Sequence, residues 1–473
     1  MVIMQLIEEL EDTPATDGTV QKKRKRKRPK LADHPSVKAV RAREKAPAPT
    51  ELTREQLIEM AIEAGADDAG VVSLDHPDLA GERAYIERAL PGAKTLISIV
   101  MRMHPDDVRS PTRSIANLEF HRTGEHADEV AQRLAVAISR EGWRTINPSM
   151  AFPMEMDHFP ERSWIVSHKI AAQAAGLGHI GLHRNVIHPK FGSFILLATV
   201  ITTATITEPA PVLDFDPCVS CKLCVAACPV GAIEPDGTFR FSACYDHNYH
   251  EFMSGFSDFL EQVVESDDRH DFRDRVSQSD AASMWQSLAY KPNYKAAYCV
   301  AVCPAGEDML APFLEDRANY LKEVLDPLVV RDEQIFVVRG SDAEAHVKKR
   351  FPHKQVRRVR SSLRPGSVGS FFDALSLTFQ RGPARGWRGV FHFDLTSEDG
   401  EERFQYTVCI DDGSLEVTPG FHGESDVSIV GDGQTWLDVV SGKRNPVMAM
   451  VLRKLKVGGK RQLLPRFAAC FPR

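Results

Sequence analysis

The sequence lacks a long hydrophobic run. Its longest apolar stretch, residues 193–206, is interrupted by serines and threonines and is shorter than the ~20 residues that cross a bilayer. The first twelve residues carry acidic side chains where an export signal carries basic ones, so we expect a cytoplasmic chain without a membrane span. Hydrophobic residues make up 43% and charged residues 26% of the 473 residues. This composition excludes a disordered, collagenous or disulfide-stapled chain and predicts about three domains.

Charge is distributed unevenly along the chain. The net charge is −6, yet residues 1–50 hold twelve Lys or Arg against seven Asp or Glu, which leaves −11 on the remainder. An acidic body is a poor nucleic-acid-binding surface, so nucleic acid is not an expected partner except through the tail. The tail contains seven consecutive basic residues, 22–28, and is predicted to be disordered. It is interpreted as a solvated tail, a phosphate or nucleic-acid contact, or a nuclear address.

Hydrophobic periodicity predicts a multidomain chain of mixed fold class, α/β and α+β. Helical spacing marks residues 53–65 and 127–143, and buried strands are predicted at residues 95–100 and 193–205. Strands of period two dominate the last hundred residues. The predicted segments are a disordered tail and linker (1–50), an α/β domain (51–207), a cysteine-rich domain (208–317), a small strand–helix–strand extension and linker (318–364) and a β-rich domain (365–473).

Seven of the nine cysteines lie between Cys218 and Cys303. Without an export signal, clustered thiols are metal ligands rather than disulfides. Cys218, Cys221, Cys224 and Cys228, followed by a proline, have the C-x2-C-x2-C-x3-C-P spacing of bacterial iron–sulfur proteins. Zinc sites favour paired C-x2-C knuckles instead, so the pattern predicts a bacterial two-cluster, ferredoxin-like segment. The other two cysteines, Cys409 and Cys470, are predicted to be packing residues.

Ferredoxin-type pairing predicts two clusters but supplies only seven thiols. A [4Fe-4S] cluster would take Cys218, Cys221, Cys224 and Cys303, and a second cluster would take Cys228, Cys244 and Cys299. The missing ligand of the second cluster is expected at Ala296, which cannot bind iron. Four interpretations stay open: a ligand such as His247 or Asp246, a [3Fe-4S] cluster, an open iron that acts as a Lewis acid, or loss of the second cluster.

A glycine loop precedes the cysteines. Gly176-x-Gly178-x-x-Gly181 has the form of a dinucleotide fingerprint, but it follows a predicted helix over residues 163–175 and leads into a strand. A Rossmann loop has the reverse order, with phosphate at a helix N-terminus, so a nicotinamide site is excluded. Gly176 is predicted to end the helix, and the other glycines permit close approach of the backbone.

The order of these motifs resembles that of epoxyqueuosine reductases and of the catalytic part of cobalamin-dependent reductive dehalogenases, over about residues 55–315. Those families bind cobalamin on a nitroreductase-like α/β domain and reduce it through two [4Fe-4S] clusters. The resemblance implies cofactor-binding roles for Gly176, Gly178, Gly181, His183, Phe191 and Gly192.

The chain also departs from the epoxyqueuosine reductase pattern. Arg162 stands where a catalytic aspartate is expected, with Asp157 five residues earlier. An unrelated domain replaces the helical repeats that hold tRNA in that family, and the twin-arginine signal of respiratory dehalogenases is missing. Both tRNA modification and organohalide respiration are therefore in doubt.

Reductive cleavage at a low-valent metal needs a proton source near the departing group. Asp157, His168 and Glu155 are the predicted catalytic residues, and His158 is a further candidate. Three more histidines near the glycine loop, His179, His183 and His188, are interpreted as cofactor contacts or as hydrogen-bonded structural groups.

The last segment, residues 367–473, resembles a sterol-carrier-protein-type lipid-binding domain. The matching features are two strands rich in aromatic residues, the segment 426–459 and a closing helix. In that family a five-stranded sheet and helices enclose an apolar tunnel for acyl or sterol ligands. Alternating apolar residues would equally form a packing or dimerising module without a lipid.

These observations predict an iron–sulfur oxidoreductase. Electrons from [4Fe-4S] clusters would reach a cofactor, by resemblance cobalamin, and reduce an apolar or lipid-like substrate. The expected partners are an electron donor, such as a ferredoxin, flavodoxin or reductase, and a small apolar or lipid ligand. The alternatives are a non-catalytic redox sensor or electron carrier with a lipid-binding domain, a cobalamin-free enzyme with an open iron, and a tRNA-modifying enzyme similar to epoxyqueuosine reductase.

Overall fold

The computed structural model describes residues 31–42, 49, 51–156, 162–206, 208, 213–294, 298–361, 363, 365–397 and 400–472. In the tail, residues 31–42 form a 3-10 turn, Leu31–Asp33, and helix α1, Pro35–Arg41. The prediction of disorder is wrong for these residues, because Pro35 occupies the first helical turn and the His34 side chain accepts a hydrogen bond from the Ser36 amide. The basic run at residues 22–28 lies outside the described residues.

The next part of the chain builds an antiparallel sheet covered by helices on both faces. Its strand order is β1-β2-β6-β3, and β4 and β5 form a separate hairpin. The elements in chain order are α2 Arg54–Ala64, β1 Asp68–Ser73, the 3-10 turn Pro77–Leu79, α3 Arg83–Ala89, β2 Thr95–Arg102, α4 Pro105–Arg109, α5 Arg113–Arg140, β3 Thr145–Ile146, α6 His168–Ala174, β4 His179–Ile180, β5 Val186–Ile187 and β6 Ile195–Thr202.

Helix α2 follows its local sequence signals, whereas α5 and α6 start at other residues than predicted. Helix α2 starts at a capping box of Thr53 and Gln56 and ends at Gly65 with φ +116°, as the sequence predicts. Helix α5 begins well before its predicted start at residue 127, because buried positions continue from Ala116. Helix α6 begins at His168 instead of residue 163, because the preceding residues are held extended by a buried ion pair described below.

The cysteine-rich segment is mostly helical, and a small parallel strand pair follows it as predicted. Its elements are α7 Leu223–Ala227, α8 Phe241–Asn248, α9 Ser254–Glu265, α10 Arg269–Arg275, α11 Gln278–Ala289, α12 Tyr298–Ala301, α13 Glu307–Glu315, α14 Arg317–Tyr320, the π-helical turn Leu321–Leu325, α15 Asp326–Val330, β7 Gln334–Val338, α16 Asp342–Arg350 and β8 Gln355–Val359.

The C-terminal part contains the predicted five-stranded sheet, in the order β11-β10-β9-β12-β13. Inward-facing residues of β9 and β10, among them Phe391, Phe393 and Val408, are fully buried, as the period-two pattern predicts. The mixed fold class is therefore confirmed. The elements are α17 Val368–Thr378, α18 Arg381–Ala384, β9 Arg388–Thr396, β10 Arg403–Asp411, β11 Ser414–Pro419, β12 Val427–Asp432, α19 Gly433–Val440, α20 Pro446–Val451, β13 Leu455–Gly459, the 3-10 turn Arg461–Leu463 and α21 Leu464–Ala469.

Two sets of contacts, which we call the first and second seams, join the sheet domain, the cysteine-rich segment and the β-rich domain. At the first seam, the backbone after Cys303 lies against the loop before β6: the Glu307 amide donates to the Pro189 carbonyl (2.9 Å), and the Asp308 amide donates to Lys190 (3.0 Å). Gly192, with φ +64°, lies so close to the Ala305 carbonyl oxygen that a Cβ would collide with it. Only glycine permits this approach.

At the second seam, Arg381 of α18 reaches the turn that follows the cysteine motif. Its guanidinium contacts the Glu234 carboxylate (2.9 Å), the Asp236 carboxylate (3.0 Å) and the Thr238 hydroxyl (3.0 Å). The Thr238 amide and Arg381 hold the pKa of Asp236 below its usual range. The β-rich domain is therefore fixed to the cysteine segment by polar contacts. Within the described residues, no helix is long and apolar enough to cross a membrane.

Gly192→Ala tests the first seam. The added methyl group must displace the Ala305 backbone and strain a left-handed residue, so we expect a loss of at least about 2 kcal/mol in unfolding free energy. The measurement is the urea midpoint of anaerobically prepared protein. Gly81→Ala is the matched control because a Cβ there meets open space. Equal midpoints for the two variants would show that the seam does not depend on this contact.

Candidate iron–sulfur site

The cysteine motif forms a tight loop ahead of a short helix. Ser220 and Lys222, on either side of Cys221, both have left-handed backbones, with φ of +54° and +53°. These conformations turn the chain twice within a few residues, so that Cys218, Cys221 and Cys224 can face a common centre. The Leu182 amide, in the hairpin loop after the glycines, points at Cys218 Sγ at 3.4 Å.

The first group of thiols contains Cys218, Cys221, Cys224 and Cys303. Burial raises the pKa of Cys303 to about 11, and the nearby thiols of Cys221 and Cys218 raise it further. Burial also raises the pKa of Cys224 to about 12, with contributions from Cys299, Cys303 and Cys221. The structure therefore brings together the four residues predicted for the first cluster, although they come from two distant segments.

The second group contains Cys228, Cys244 and Cys299. Burial raises the pKa values of Cys244 and Cys299 to about 12, and all three thiols act on one another. The Ala232 amide donates to Cys228 Sγ (3.2 Å), and the amides of residues 230, 231 and 233 also favour the thiolate of this cysteine. Because Cys299 also acts on Cys224, the two groups are neighbours. This is the arrangement that electron transfer between two clusters requires.

The donor set of both groups fits iron–sulfur clusters. Buried thiols whose pKa values are raised lose their protons only to a bound cation, and backbone amides aimed at sulfur are typical of cluster sites. Among the described residues, no three His, Cys, Asp or Glu side chains are grouped as ligands of a single metal ion. A cubane [4Fe-4S] cluster differs from a single-ion site because each of its cysteine thiolates binds a different iron atom.

The fourth ligand of the second group stays a prediction, and two of its candidates, His247 and Asp246, are among the described residues. Ala296 lies outside the described residues. His247 is buried, and its Nδ1 accepts a hydrogen bond from the Phe336 amide (3.3 Å) in β7. Asp246 lines a small cavity together with Val338 and Gln380, next to the β-rich domain. A three-cysteine second site stays a prediction.

The glycine loop contacts protein. A Cβ at Gly178 would collide with the Ile187 carbonyl oxygen, and one at Gly181 would lie close to the Ile187 side chain and 3.5 Å from Cys218 Sγ. Gly176, with φ +77°, follows Ala175, the C-cap of α6, and so ends the helix as predicted. The loop thus lets the β4–β5 hairpin pack closely beside the first thiol group.

The other predicted cofactor contacts are also bonded within the protein. Phe191 is buried and stacks on His188, with ring centroids 4.8 Å apart, and His188 Nε2 lies 2.9 Å from the Asp68 carboxylate. His179 Nε2 lies 3.0 Å from the Leu213 carbonyl. The cofactor-binding roles that the resemblance implies for the six residues stay predictions.

A hydrogen-bonded chain connects His183 to the first thiol group. His183 Nδ1 accepts from the Asn185 amide (3.1 Å), so its proton is on Nε2, which donates to Ser193 Oγ (2.9 Å). The Ser193 hydroxyl in turn donates to Cys303 and opposes the rise of the thiol pKa. Burial and the nearby Lys169 lower the pKa of His183 to about 4, so the imidazole is neutral at pH 7. The sequence did not indicate Ser193.

His168, a predicted catalytic residue, has both ring nitrogens occupied. Nε2 lies 3.1 Å from the Ser149 carbonyl, which fixes the proton there, and Nδ1 accepts from the Thr199 hydroxyl (2.9 Å). Burial lowers its pKa. A neutral imidazole whose only proton is bonded to a backbone carbonyl anchors α6 to β6 and is poorly placed to donate a proton.

The other proton-donor candidates are separated. The Glu155 side chain is exposed, and Asp157 and His158 lie outside the described residues. Arg162, at the position of the family's aspartate, forms a bidentate ion pair with the buried Glu82 (2.6 and 3.4 Å). The same carboxylate accepts from the Ser167 amide (2.8 Å), which keeps residues 162–167 extended. No described residue takes the place of that aspartate.

Lys169 is a residue that the sequence reading missed. Its side chain is exposed to solvent. Its ammonium donates to the Arg184 carbonyl and to Asn185 Oδ1, both at 2.8 Å, and Asn185 Nδ2 is 4.0 Å from Cys299 Sγ. Burial lowers its pKa, whereas Cys299 and Cys244 oppose this shift. A lysine in the first turn of a helix is unfavourable for the helix dipole, and this was the available signal.

Two protein-family models match the chain. The 4Fe-4S binding domain model matches residues 211–234, and the SCP-2 sterol transfer family model matches residues 376–472. These matches confirm the predictions of an iron–sulfur cluster in the cysteine segment and of a sterol-carrier-type domain at the C-terminal side. Neither model covers half of the chain.

Curated relatives are epoxyqueuosine reductases. The protein of Synechococcus sp. (strain RCC307) is 29% identical over 158 residues, which are 32% of this chain and 44% of that protein. The protein of Bacillus subtilis (strain 168) is 24% identical over 321 residues, which are 60% of this chain and 72% of that protein. The predicted resemblance is confirmed. The chain spans about half the length of most curated relatives that it matches.

A solved structure of epoxyqueuosine reductase with a tRNA-TYR epoxyqueuosine-modified tRNA stem loop is also similar. It is 18% identical, covers 68% of this chain and 80% of its own length, and has a TM-score of 0.30. Similarity at this level specifies neither a substrate nor the geometry of a site.

Ser193→Ala tests the chain to Cys303. Removing a hydroxyl that stabilises the thiolate destabilises the reduced, more negative cluster, so we expect a more negative midpoint potential. A hydrogen bond worth about 1 kcal/mol corresponds to about 40 mV for one electron. The measurement is a redox titration followed by electron paramagnetic resonance. Ser287→Ala removes a buried hydroxyl without any described bond to a cysteine and should leave the potential unchanged.

Lys169→Met tests the positive charge beside the second group. Loss of an ammonium near Cys244 and Cys299 removes an attraction that grows when a cluster gains an electron. We expect the potential of the second cluster to fall by on the order of 50 mV, with the first cluster changed less. Lys169→Arg keeps the charge and should restore most of the shift. Equal shifts in both clusters would contradict the placement.

Proposed function

We propose that the protein is an iron–sulfur reductase whose electrons pass through two neighbouring clusters to a substrate near Lys169. The observation that carries the proposal is the convergence of seven thiols into two adjacent groups. The second group lies next to a solvent-accessible lysine. The named relatives are reductases, which supports the same class of reaction.

When bound, the clusters supply single electrons at low potential. The chain's own residues set the conditions for this transfer. Backbone amides and Ser193 stabilise negative charge on sulfur, burial excludes water, and Lys169 favours the reduced state of the second group. The two thiol groups differ in their surroundings, because the first has a hydroxyl donor and the second has a nearby ammonium. This difference allows electrons to move in one direction.

The C-terminal domain is proposed to hold an apolar, lipid-like substrate. Its family is named for sterol transfer. Arg381 fixes it to the turn at residues 234–238, which directly follows the Cys228 ligand loop, and α17 packs against α8, the helix that carries Cys244. A ligand released from this domain would therefore enter near the second thiol group.

Cobalamin is the least supported part of the proposed chemistry. The resemblance implies it, but the six residues assigned to it contact protein, so no step is derived through it. In the absence of a corrin, the three-cysteine group with an open iron would be the point where substrate receives electrons.

A second candidate function is modification of tRNA. The relatives carry the name of a tRNA-modifying reductase, and one similar structure contains a tRNA stem loop. The acidic charge of residues 51–473 argued against nucleic acid as a partner, whereas these findings favour it. A non-catalytic redox sensor or electron carrier with a lipid-binding domain is the remaining alternative, since the thiol groups alone would serve it equally.

The test is anaerobic purification followed by iron and sulfide analysis, visible spectra with and without added cobalamin, and native mass spectrometry for bound lipid. We expect about seven or eight iron atoms for two clusters, bleaching by dithionite, and a fatty acid or sterol that co-purifies. Colourless protein, or stoichiometric zinc, would contradict the redox proposal. Retained corrinoid would restore cobalamin to it, and turnover of epoxyqueuosine in tRNA would favour the second candidate.

A further inference from the structure

A short helix in the C-terminal domain exposes apolar side chains. In α20, Ala449 is fully buried and anchors the helix, and Asn445 caps its start by accepting from the amides of Val447 (2.8 Å) and Met448 (3.3 Å). The opposite face presents four large apolar side chains that are each more than half exposed: Val447 58%, Met448 51%, Val451 67% and Leu452 58%. A contiguous apolar face of this kind marks a contact surface.

The same face is surrounded by positive charge. The sequence from residue 439 to residue 473 contains nine Lys or Arg and no Asp or Glu, although the whole chain has a net charge of −6. Lys443 and Arg444 precede the apolar face, and Arg453 and Lys454 follow it. Among the described residues, no carboxylate lies within ion-pair distance of Lys443, Arg453 or Lys454, whereas Arg444 pairs with Asp438 (3.4 Å). Most of this charge is therefore available to a partner.

We propose that this apolar face and its basic rim, which we call the docking helix, bind the surface of an anionic lipid bilayer. Exposed Val, Met and Leu side chains enter the boundary between headgroups and acyl chains, and the flanking Lys and Arg contact anionic headgroups. The helix is far too short to span the bilayer, so the attachment is peripheral.

The composition of the face favours a bilayer over the other possible occupants. Nucleic acid is bound by basic residues with aromatic or polar side chains between them, but the centre of this face is aliphatic. A second copy of the chain would bring two basic surfaces together, which repel each other. Only a bilayer surface, with apolar acyl chains beneath anionic headgroups, matches both the apolar centre and the basic rim of this face.

The inference goes beyond the proposed reductase activity and does not depend on it. Vesicle binding needs neither an electron donor nor a substrate, so failure of the reductase proposal leaves it standing. Bilayer binding would nevertheless serve the proposed reductase. The docking helix belongs to the domain that matches the sterol transfer family, and a domain at the bilayer surface can exchange an apolar ligand with the bilayer.

The test is flotation of the full, iron-loaded chain with phosphatidylcholine vesicles that contain either no anionic lipid or about one third phosphatidylglycerol. We expect at least ~10-fold tighter binding to the anionic vesicles and loss of most of this difference at ~0.5 M salt. Equal binding to both vesicles, or no binding to either, would overturn the proposal.

Two variants separate the apolar and charged contributions. The double change Val451→Gln and Leu452→Gln, and separately Lys443→Glu and Lys454→Glu, should each weaken binding to anionic vesicles at least ~10-fold. The matched controls are Val264→Gln with Leu314→Gln, which are 83% and 69% exposed, and Lys322→Glu with Lys349→Glu on other exposed helices. The visible spectrum of each variant shows whether the clusters and the fold are retained.

The other occupants give distinct results. If the lysine changes abolish binding to a homopolymeric RNA while the apolar changes leave all binding intact, the surface is a nucleic-acid contact and the bilayer proposal is wrong. Concentration-dependent dimers that the apolar changes dissociate would likewise overturn it. Loss of vesicle binding in both variants, with both controls unchanged, is the result that the proposal requires.

Discussion

Desolvation of the cysteine thiols is the constraint on which the rest of the molecule depends. Burial raises the pKa values of Cys224, Cys228, Cys244, Cys299 and Cys303, and repulsion from neighbouring thiolates contributes to the values of about 12 for Cys224, Cys244 and Cys299. Thiolates can exist in this environment only when iron compensates their charge. Iron binding therefore contributes to the folding free energy of the cysteine segment. It also stabilises the elements that pack on this segment.

Much of the surrounding structure serves to bring these thiols together. Cys303 reaches the first group only because the backbone after it lies against the loop at Gly192, and Ser193 of that loop donates to the same cysteine. On the other side, Arg381 holds the β-rich domain to the turn beyond Cys228. The sheet domain, the cysteine segment and the β-rich domain thus meet around one pair of buried sites, which accounts for their fusion in one chain.

Features that depend on neighbouring residues could be predicted from the sequence, and features that depend on distant contacts could not. The end of α2 at Gly65, the period-two strands of the last domain and the cysteine spacing are local signals, and each was read correctly. The start of α6 was misplaced because Glu82, eighty residues before Arg162, binds both Arg162 and the Ser167 amide and so keeps residues 162–167 out of the helix. Ser193 and Lys169 carry no motif, and only the folded chain places them beside thiols.

The glycine loop is a second case in which contacts made by the folded chain could not be predicted from the sequence. Gly178 and Gly181 were predicted to permit close approach of the backbone, and the family resemblance implied a cofactor as the neighbour, because a sequence shows where a side chain is missing but not what fills the space. In the structure, Ile187 and its carbonyl fill it. The motif is thus a device for close packing beside a cluster, and its similarity to a nucleotide fingerprint reflects the general permissiveness of glycine.

The contact between Gly192 and Ala305 also sets an order of events during synthesis. More than a hundred residues separate the two halves of this seam, so at about 5–20 residues per second the ribosome needs several seconds to deliver the second half. During that interval the loop before Ser193 lacks its contact with Ala305, and Cys303 is absent from the first thiol group. This group is therefore completed only after residue 305 has been synthesised, and the β-rich domain follows it from the ribosome.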